Sequence, residues 1–263
     1  MKITELINQI EYDFPIVSSM DFDNSGANVV DFDKELSGVL VTLDITLDAI
    51  KYANENNINL IISHHPIIFN KIRNLNDDPV ANRIKLLNKY DISAYSCHTN
   101  YDVNLKNGMG TNLVDLLFDK SLIKEQGILE RYNVNDAEYG IGNIITFNKE
   151  YTFEELKNIF IEKLHLDTDK ICYNIYKDSI KKLVIIPGSG SSDVDLVIKE
   201  KPDLVITSEL KHNQILDLKE SNISYFNASH YGLENIFIDS FYKYLISLKI
   251  LSNINIMKYD IKL

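Results

Sequence analysis

Leu60 to Phe69 reads LIISHHPIIF, and how this stretch is read decides the fold. The short apolar run Leu60-Ile61-Ile62 suits a strand buried on both faces. Pro66 biases His65 toward an extended backbone and removes a hydrogen-bond donor, so the chain leaves the strand sharply after two adjacent histidines. At the C-terminal edge of a parallel sheet, side chains converge on the crevice where open α/β folds bind ligands. Successive extended residues point to opposite faces, so the two rings can serve two neighbouring metal ions. A solvated loop pair is the plainer reading of a His-His dipeptide, and the rest of the chain has to decide between the two.

On the N-terminal side, Gly38 to Leu43 (GVLVTL) predicts a buried strand and Thr46 to Asn54 (TLDAIKYAN) a helix capped by Thr46. On the C-terminal side, Val80 to Tyr90 repeats apolar residues at helical spacing, and Ile92 to Ser96 (ISAYS) predicts a third strand that delivers Cys97 and His98. The same alternation returns late in the chain. Lys182 to Ile186, Leu204 to Thr207 and Ile223 to Phe226 are strands, Ser191 to Lys199 and Asn213 to Lys219 are helices, and the last strand leads to Ser229 and His230. Alternating strands and helices imply parallel βαβ units. Between the halves, Gly140 to Phe147 predicts a strand, and Thr152 to Leu164 a helix with Glu155 at the capping-box position. A final helix is expected over Leu233 to Leu251. The fold class is therefore α/β: two linked lobes with mostly parallel sheets flanked by helices, the first formed by 1–120 with 225–263 and the second by 121–224.

The chain has 263 residues, 45% hydrophobic and 25% charged, enough to bury a full core. A formal charge of -11 argues against sequence-independent nucleic-acid binding, which needs a cationic surface. The 2 cysteines, Cys97 and Cys172, cannot build a disulfide framework and fit a reducing compartment. The first residues form an amphipathic helix and no apolar run reaches the ~18 residues a membrane span needs, so a cytoplasmic protein is expected.

Of the 6 histidines, His64, His65, His98, His212 and His230 sit at expected strand ends or just beyond them. Two carboxylates stand near them: Asp102 follows His98 by four residues, and Glu234 follows His230 by four. A histidine and a carboxylate four apart share a face of a helix. Glu234 opens the last helix and fits; the Asp102 segment reads as a loop. Together His64, His65, Asp102, His230 and Glu234 make a nitrogen and oxygen donor set for two divalent ions, with open positions left for chemistry. Such a set suits Zn, Mn, Fe, Ni or Co. Cys97 reads as core. Gly188 to Ser192 reads equally as a phosphate cradle or a tight turn, and His212 equally as a proton shuttle or a helix cap. His165 reads as a solvent-facing helix end. Glu209 reads as a surface carboxylate or as a group orienting a ligand imidazole.

The series DNSG at Asp23, VTLDIT at Val41, SHHPIIF at Ser63, HTNYD at His98, GSGSS at Gly188, TSELKH at Thr207 and SHYGLE at Ser229 resembles the dinuclear metal-centre proteins known as GTP cyclohydrolase 1 type 2 homologues, or NIF-three-like proteins. The resemblance spans essentially the whole chain. It implies a two-metal site between two α/β lobes, a ring-shaped hexamer, and ligand roles for His64, His65, Asp102, His230 and Glu234, with His98 close by. Where the family usually has a Gly-Asp pair, this chain has Ser208-Glu209. The expected function is a metal-dependent hydrolase acting on a small molecule such as a nucleotide, with GTP cyclohydrolase-like ring opening and His98 or His212 moving protons. Two alternatives stand beside it: a two-metal phosphoesterase, and a non-enzymatic metal-binding ring protein that serves as a regulatory or assembly partner.

Overall fold

The structure is a computed structural model and describes residues 1–72, 74–76 and 78–261. The chain divides into two compact units, Met1–Tyr101 with Phe237–Leu263 and Asp102–Ile236.

The first unit is built on a five-stranded sheet in the order β1-β4-β3-β2-β11, comprising β1 (Gly26–Val29), β2 (Gly38–Thr42), β3 (Leu60–Ser63), β4 (Ser93–Ser96) and β11 (Asn255–Tyr259). Helices α1 (Ile3–Asp13), α2 (Leu47–Glu55), α3 (Pro79–Tyr90) and α10 (Ile236–Ser247) belong with it, and α4 (Thr99–Asp102) is a single turn after β4. β2, β3, β4 and β11 run parallel and only β1 is antiparallel. The period-two alternation of strands sorts the side chains. Leu40, Ile61 and Ala94 join Ala49, Ile50, Ala53 and Leu87 of α2 and α3 in one core layer. The intervening residues Val39, Val41, Leu60, Ile62 and Tyr95 are buried on the other face, and the Tyr95 hydroxyl donates to Glu11 of α1 at 3.2 Å. Both faces of β3 are covered, which is why its sequence is an unbroken apolar run.

The register places chemistry at one edge. Thr42 pairs with Ser63 and Ser63 with Ser96, so the three central strands end level. Asp44, the His64-His65 pair and the Cys97-His98 pair therefore emerge side by side.

The second unit contains α5 (Met109–Leu117), β5 (Ile123–Val134), β6 (Ala137–Thr152), α6 (Phe153–Lys163), β7 (Cys172–Asn174), β8 (Ser179–Ser189), α7 (Val194–Glu200), β9 (Leu204–Ser208), α8 (His212–Glu220), β10 (Ser224–Ala228) and α9 (His230–Glu234). Its six strands follow the order β5-β6-β8-β9-β10-β7. Only β8-β9 and β9-β10 pair in parallel; β5-β6, β6-β8 and β10-β7 are antiparallel. The second sheet is thus mixed, because the long β5–β6 hairpin needs only a tight turn where a parallel pair would need a crossover. Val184, Ile186, Val205 and Tyr225 pack with Val194, Val197 and Leu218 of α7 and α8. Phe226, on the opposite face, meets Phe160 of α6 with ring centroids 5.2 Å apart.

The unit boundaries fall at 101/102 and 236/237, where the sequence reading placed them at 120/121 and 224/225. The physical reason is pairing: β10 is hydrogen-bonded to both β7 and β9, so a cut at 224/225 would detach it from its own sheet. The Thr152 side chain accepts from Glu155 N and forms the expected capping box. The single long terminal helix expected over Leu233 to Leu251 is instead α9, α10 and a 3-10 turn, and the chain then adds β11. No helix among the described residues is long and apolar enough to cross a membrane.

Candidate metal centre

In the first unit, one nitrogen each of His64, His65 and His98 lies within 4.8 Å of the others. His64 continues the Leu60-Ile62 side of β3, is fully buried, and sits 5.1 Å from the Phe237 ring of α10. The His65 ring does not turn to the opposite face as an extended pair would: the chain bends after β3 and the two ring centroids lie 5.0 Å apart. Each ring is fixed through Nδ1. The Nδ1–H of His64 donates to the Cys97 carbonyl at 2.8 Å, that of His65 to Asp44 Oδ1 at 2.8 Å, and that of His98 to Asp23 Oδ1 at 2.6 Å. Carbonyl and carboxylate oxygens can only accept, so each ring carries a proton on Nδ1 and leaves Nε2 as the nitrogen that can face a metal.

Asp23 is the most heavily bound of these acceptors, and its side chain is fully buried. Besides His98 it receives Asn24 N at 2.6 Å, Thr99 N at 3.1 Å and Thr99 Oγ1 at 2.6 Å, together with the Ser25 hydroxyl. Burial alone would raise its pKa. The hydrogen bond and charge of His98, aided by Ser25 and Thr99, outweigh burial and hold the carboxyl well below the usual carboxylate range. Thr99 in turn begins α4, so the Asp102 segment is a helical turn and not the expected loop. Its first bond runs from Tyr101 N to the His98 carbonyl at 2.9 Å. Cys97 is fully buried, and that burial pushes its thiol up, as the core reading requires.

In the second unit, α9 supplies His230 and Glu234 from one turn. Ser229 caps it by accepting from Gly232 N at 3.0 Å. His230 Nε2 lies 2.8 Å from Glu234 Oε2, and its Nδ1 lies 3.2 Å from Glu209 Oε1. Carboxylate oxygens of Asp102 and Glu234 lie within 4.8 Å of each other. Asp102 also contributes, after burial and Tyr139, to pushing the Tyr132 hydroxyl up to about 12. Glu234 is buried against the end of β8: a Cβ added to Gly188 would stand 2.2 Å from Glu234 Oε1, and Gly188 has φ +59°. Gly188 is a glycine for both reasons.

These residues fit a cation. A neutral imidazole has one N–H, yet the His230 ring faces a carboxylate at each nitrogen. A metal ion at Nε2 would balance the two carboxylates, and the Asp102 and Glu234 oxygens within 4.8 Å of each other could share in holding it. The nitrogen and oxygen donors suit divalent first-row metals.

His212 is the exposed first residue of α8, and His165 is exposed with φ 51° after α6. The Gly188 to Ser192 loop is tied down as a tight turn, with Ser208 Oγ donating to the Gly188 carbonyl at 2.7 Å and Gly190 N donating to Thr207 Oγ1 at 2.9 Å. Asp23 and Asp44 were assigned no role from sequence; the only signal was their place in the DNSG and VTLDIT blocks.

The Duf34/NIF3 (NGG1p interacting factor 3) family profile matches residues 1–262. A relative from Clostridium perfringens, named GTP cyclohydrolase 1 type 2 homolog, is 33% identical over 236 residues, which covers 89% of this chain and 87% of that one. Among solved structures, a Staphylococcus aureus hypothetical protein superposes with a TM-score of 0.85 at 25% identity, covering 100% of this chain and 97% of that one. A Bacillus cereus protein related to NIF3 superposes with a TM-score of 0.87 at 16% identity, with the same coverages of 100% and 97%, and shares the fold.

Proposed function

The chain belongs to the Duf34/NIF3 family, and from that premise we propose that it is a hydrolase working with two divalent ions held by His64, His65, Asp102, His230 and Glu234. The observation that carries this reading is the His230 ring set between Glu209 at 3.2 Å and Glu234 at 2.8 Å, an arrangement balanced by a cation at Nε2. When bound, such ions polarise a substrate oxygen and make water a nucleophile near neutral pH.

The chain's own residues supply the rest. The Cys97 carbonyl, Asp44 and Asp23 each accept from the Nδ1–H of one imidazole, and Glu209 lies 3.2 Å from His230 Nδ1. Asp23 fixes the His98 ring so that Nε2 can take a proton from the attacking water and return it to the departing group. The name of the Clostridium perfringens relative directs the substrate class to a guanine nucleotide. The reaction is then hydrolytic opening of the base with release of formate.

The test incubates metal-loaded protein with GTP and, separately, with bis(p-nitrophenyl) phosphate, and measures formate and nitrophenol. Formate from GTP is expected, with His98→Asn slowing its release about 100-fold or more while the bound metal stays. Nitrophenol without formate would transfer the reading to a phosphoesterase. Neither product from a metal-loaded protein would leave a binding protein.

A further inference from the structure

Two exposed aromatic rings border the histidine cluster of the first unit. Phe69 is 51% exposed and Phe22 65% exposed, while Phe14, Phe237 and Phe241 of the same unit are fully buried. The two exposed rings meet edge-on with centroids 6.5 Å apart, and Phe69 meets the His98 ring edge-on at 6.0 Å. Their loops are pinned to each other. Asn24 Nδ2 donates to the Ile68 carbonyl at 2.6 Å, and Ile68 N donates to Asn28 Oδ1 at 3.4 Å. Phe22 directly precedes Asp23, the group that holds His98, and Phe69 closes the SHHPIIF stretch. Adjacent residues thus serve both: Asp23 holds the imidazole, and Asn24 with Asn28 pins the loops that carry the aromatic pair.

We infer that Phe69, with Phe22 beside it, is a stacking platform for a planar heteroaromatic base, which it presents to His98. This inference rests on the hydrolase reading for the identity of the base. Leaving a phenylalanine in water forgoes the gain of burying it, and a π-face held open beside a reactive imidazole is the chemistry that recognises a purine ring. A triphosphate has no π-face, so the platform contributes to binding of the base and nothing to binding of the phosphates.

The test is equilibrium dialysis of the metal-loaded full chain with two probes, GTP and inorganic tripolyphosphate. Phe69→Ala is expected to weaken GTP binding about 10-fold or more, and Phe22→Ala less, with tripolyphosphate binding unchanged and Phe69→Trp restoring GTP. The inference is overturned if wild-type protein does not bind GTP, if Phe69→Ala leaves GTP binding intact, or if it weakens both probes alike. It is also overturned if Phe69→Ala alters only the oligomeric state in light scattering, which would make the patch a contact between copies. Phe69-dependent GTP binding without formate release would uphold the platform and count against the hydrolase reading alone.

Discussion

The two units offer metal donors in different ways. In the first, His64 and His65 leave the end of β3 with His98 beside them at the end of β4, and each imidazole is held by its own acceptor: the Cys97 carbonyl, Asp44 or Asp23. In the second, His230 and Glu234 come from a single turn of α9, and backbone geometry sets their spacing. Strand-end donors depend on acceptors recruited from distant sequence. Helical donors depend on what packs against the turn, here Gly188. The two halves should therefore fail to different substitutions.

Gly188→Ala should have the largest effect. Its Cβ would sit 2.2 Å from Glu234 Oε1 on a backbone with φ +59°. The left-handed conformation and the overlap together should cost about 2–4 kcal/mol, read in thermal or denaturant unfolding. Unaltered stability would break the claim that close packing holds the helical donors.

Next come the imidazole acceptors. Asp44→Asn replaces the carboxylate that accepts from His65 Nδ1–H at 2.8 Å with a neutral, weaker acceptor. Metal affinity in the first unit should fall about 10–100-fold, the range seen when groups supporting metal-bound histidines are lost. Glu209→Gln removes a single 3.2 Å contact from a side chain 58% exposed, and its effect should lie at or below the lower end of that range. Isothermal titration with Zn or Mn measures both. Equal losses would erase the contrast between the units.

The smallest effect is expected at Asp203, which accepts from Lys181 N and Lys182 N, both at 2.9 Å, and from Lys177 Nζ at 3.0 Å. Burial opposes ionisation there, but the Lys182 and Lys181 amides and Lys177 outweigh it and lower the carboxyl pKa. Because the folded value lies below the unfolded one, the stabilisation is present above an ordinary aspartate pKa of about 3.9 and fades as pH falls through the folded value. Asp203→Asn should remove this acid-side slope at a cost below about 1 kcal/mol at neutral pH, with metal content unchanged. Unfolding curves between pH 2 and 7 would show it.

How legible these halves were from sequence follows from the same contrast. β2, β3, β4, β9 and β10 are buried on both faces and read as apolar runs, so they could be found. β5 could not: it lies at the edge of its sheet, and residues such as Lys124, Glu125 and Arg131 break its pattern. β1 (GANV) and β11 (NIMKY) are short edge strands recognisable only by their partners β4 and β2. The five expected ligands were visible as histidines and carboxylates at strand ends and at i,i+4 spacing. The acceptors behind them were not, because Asp23 reaches His98 across 75 residues of sequence and Asp44 reaches His65 across 21.

The central claim is that His64, His65, Asp102, His230 and Glu234 hold divalent ions, and elemental analysis of metal-reconstituted protein tests it most directly. The wild-type chain should carry about two equivalents, as a two-metal site requires. His64→Ala and Glu234→Ala should each lose at least one while keeping a native circular dichroism spectrum. Full metal content in both folded variants would contradict the account.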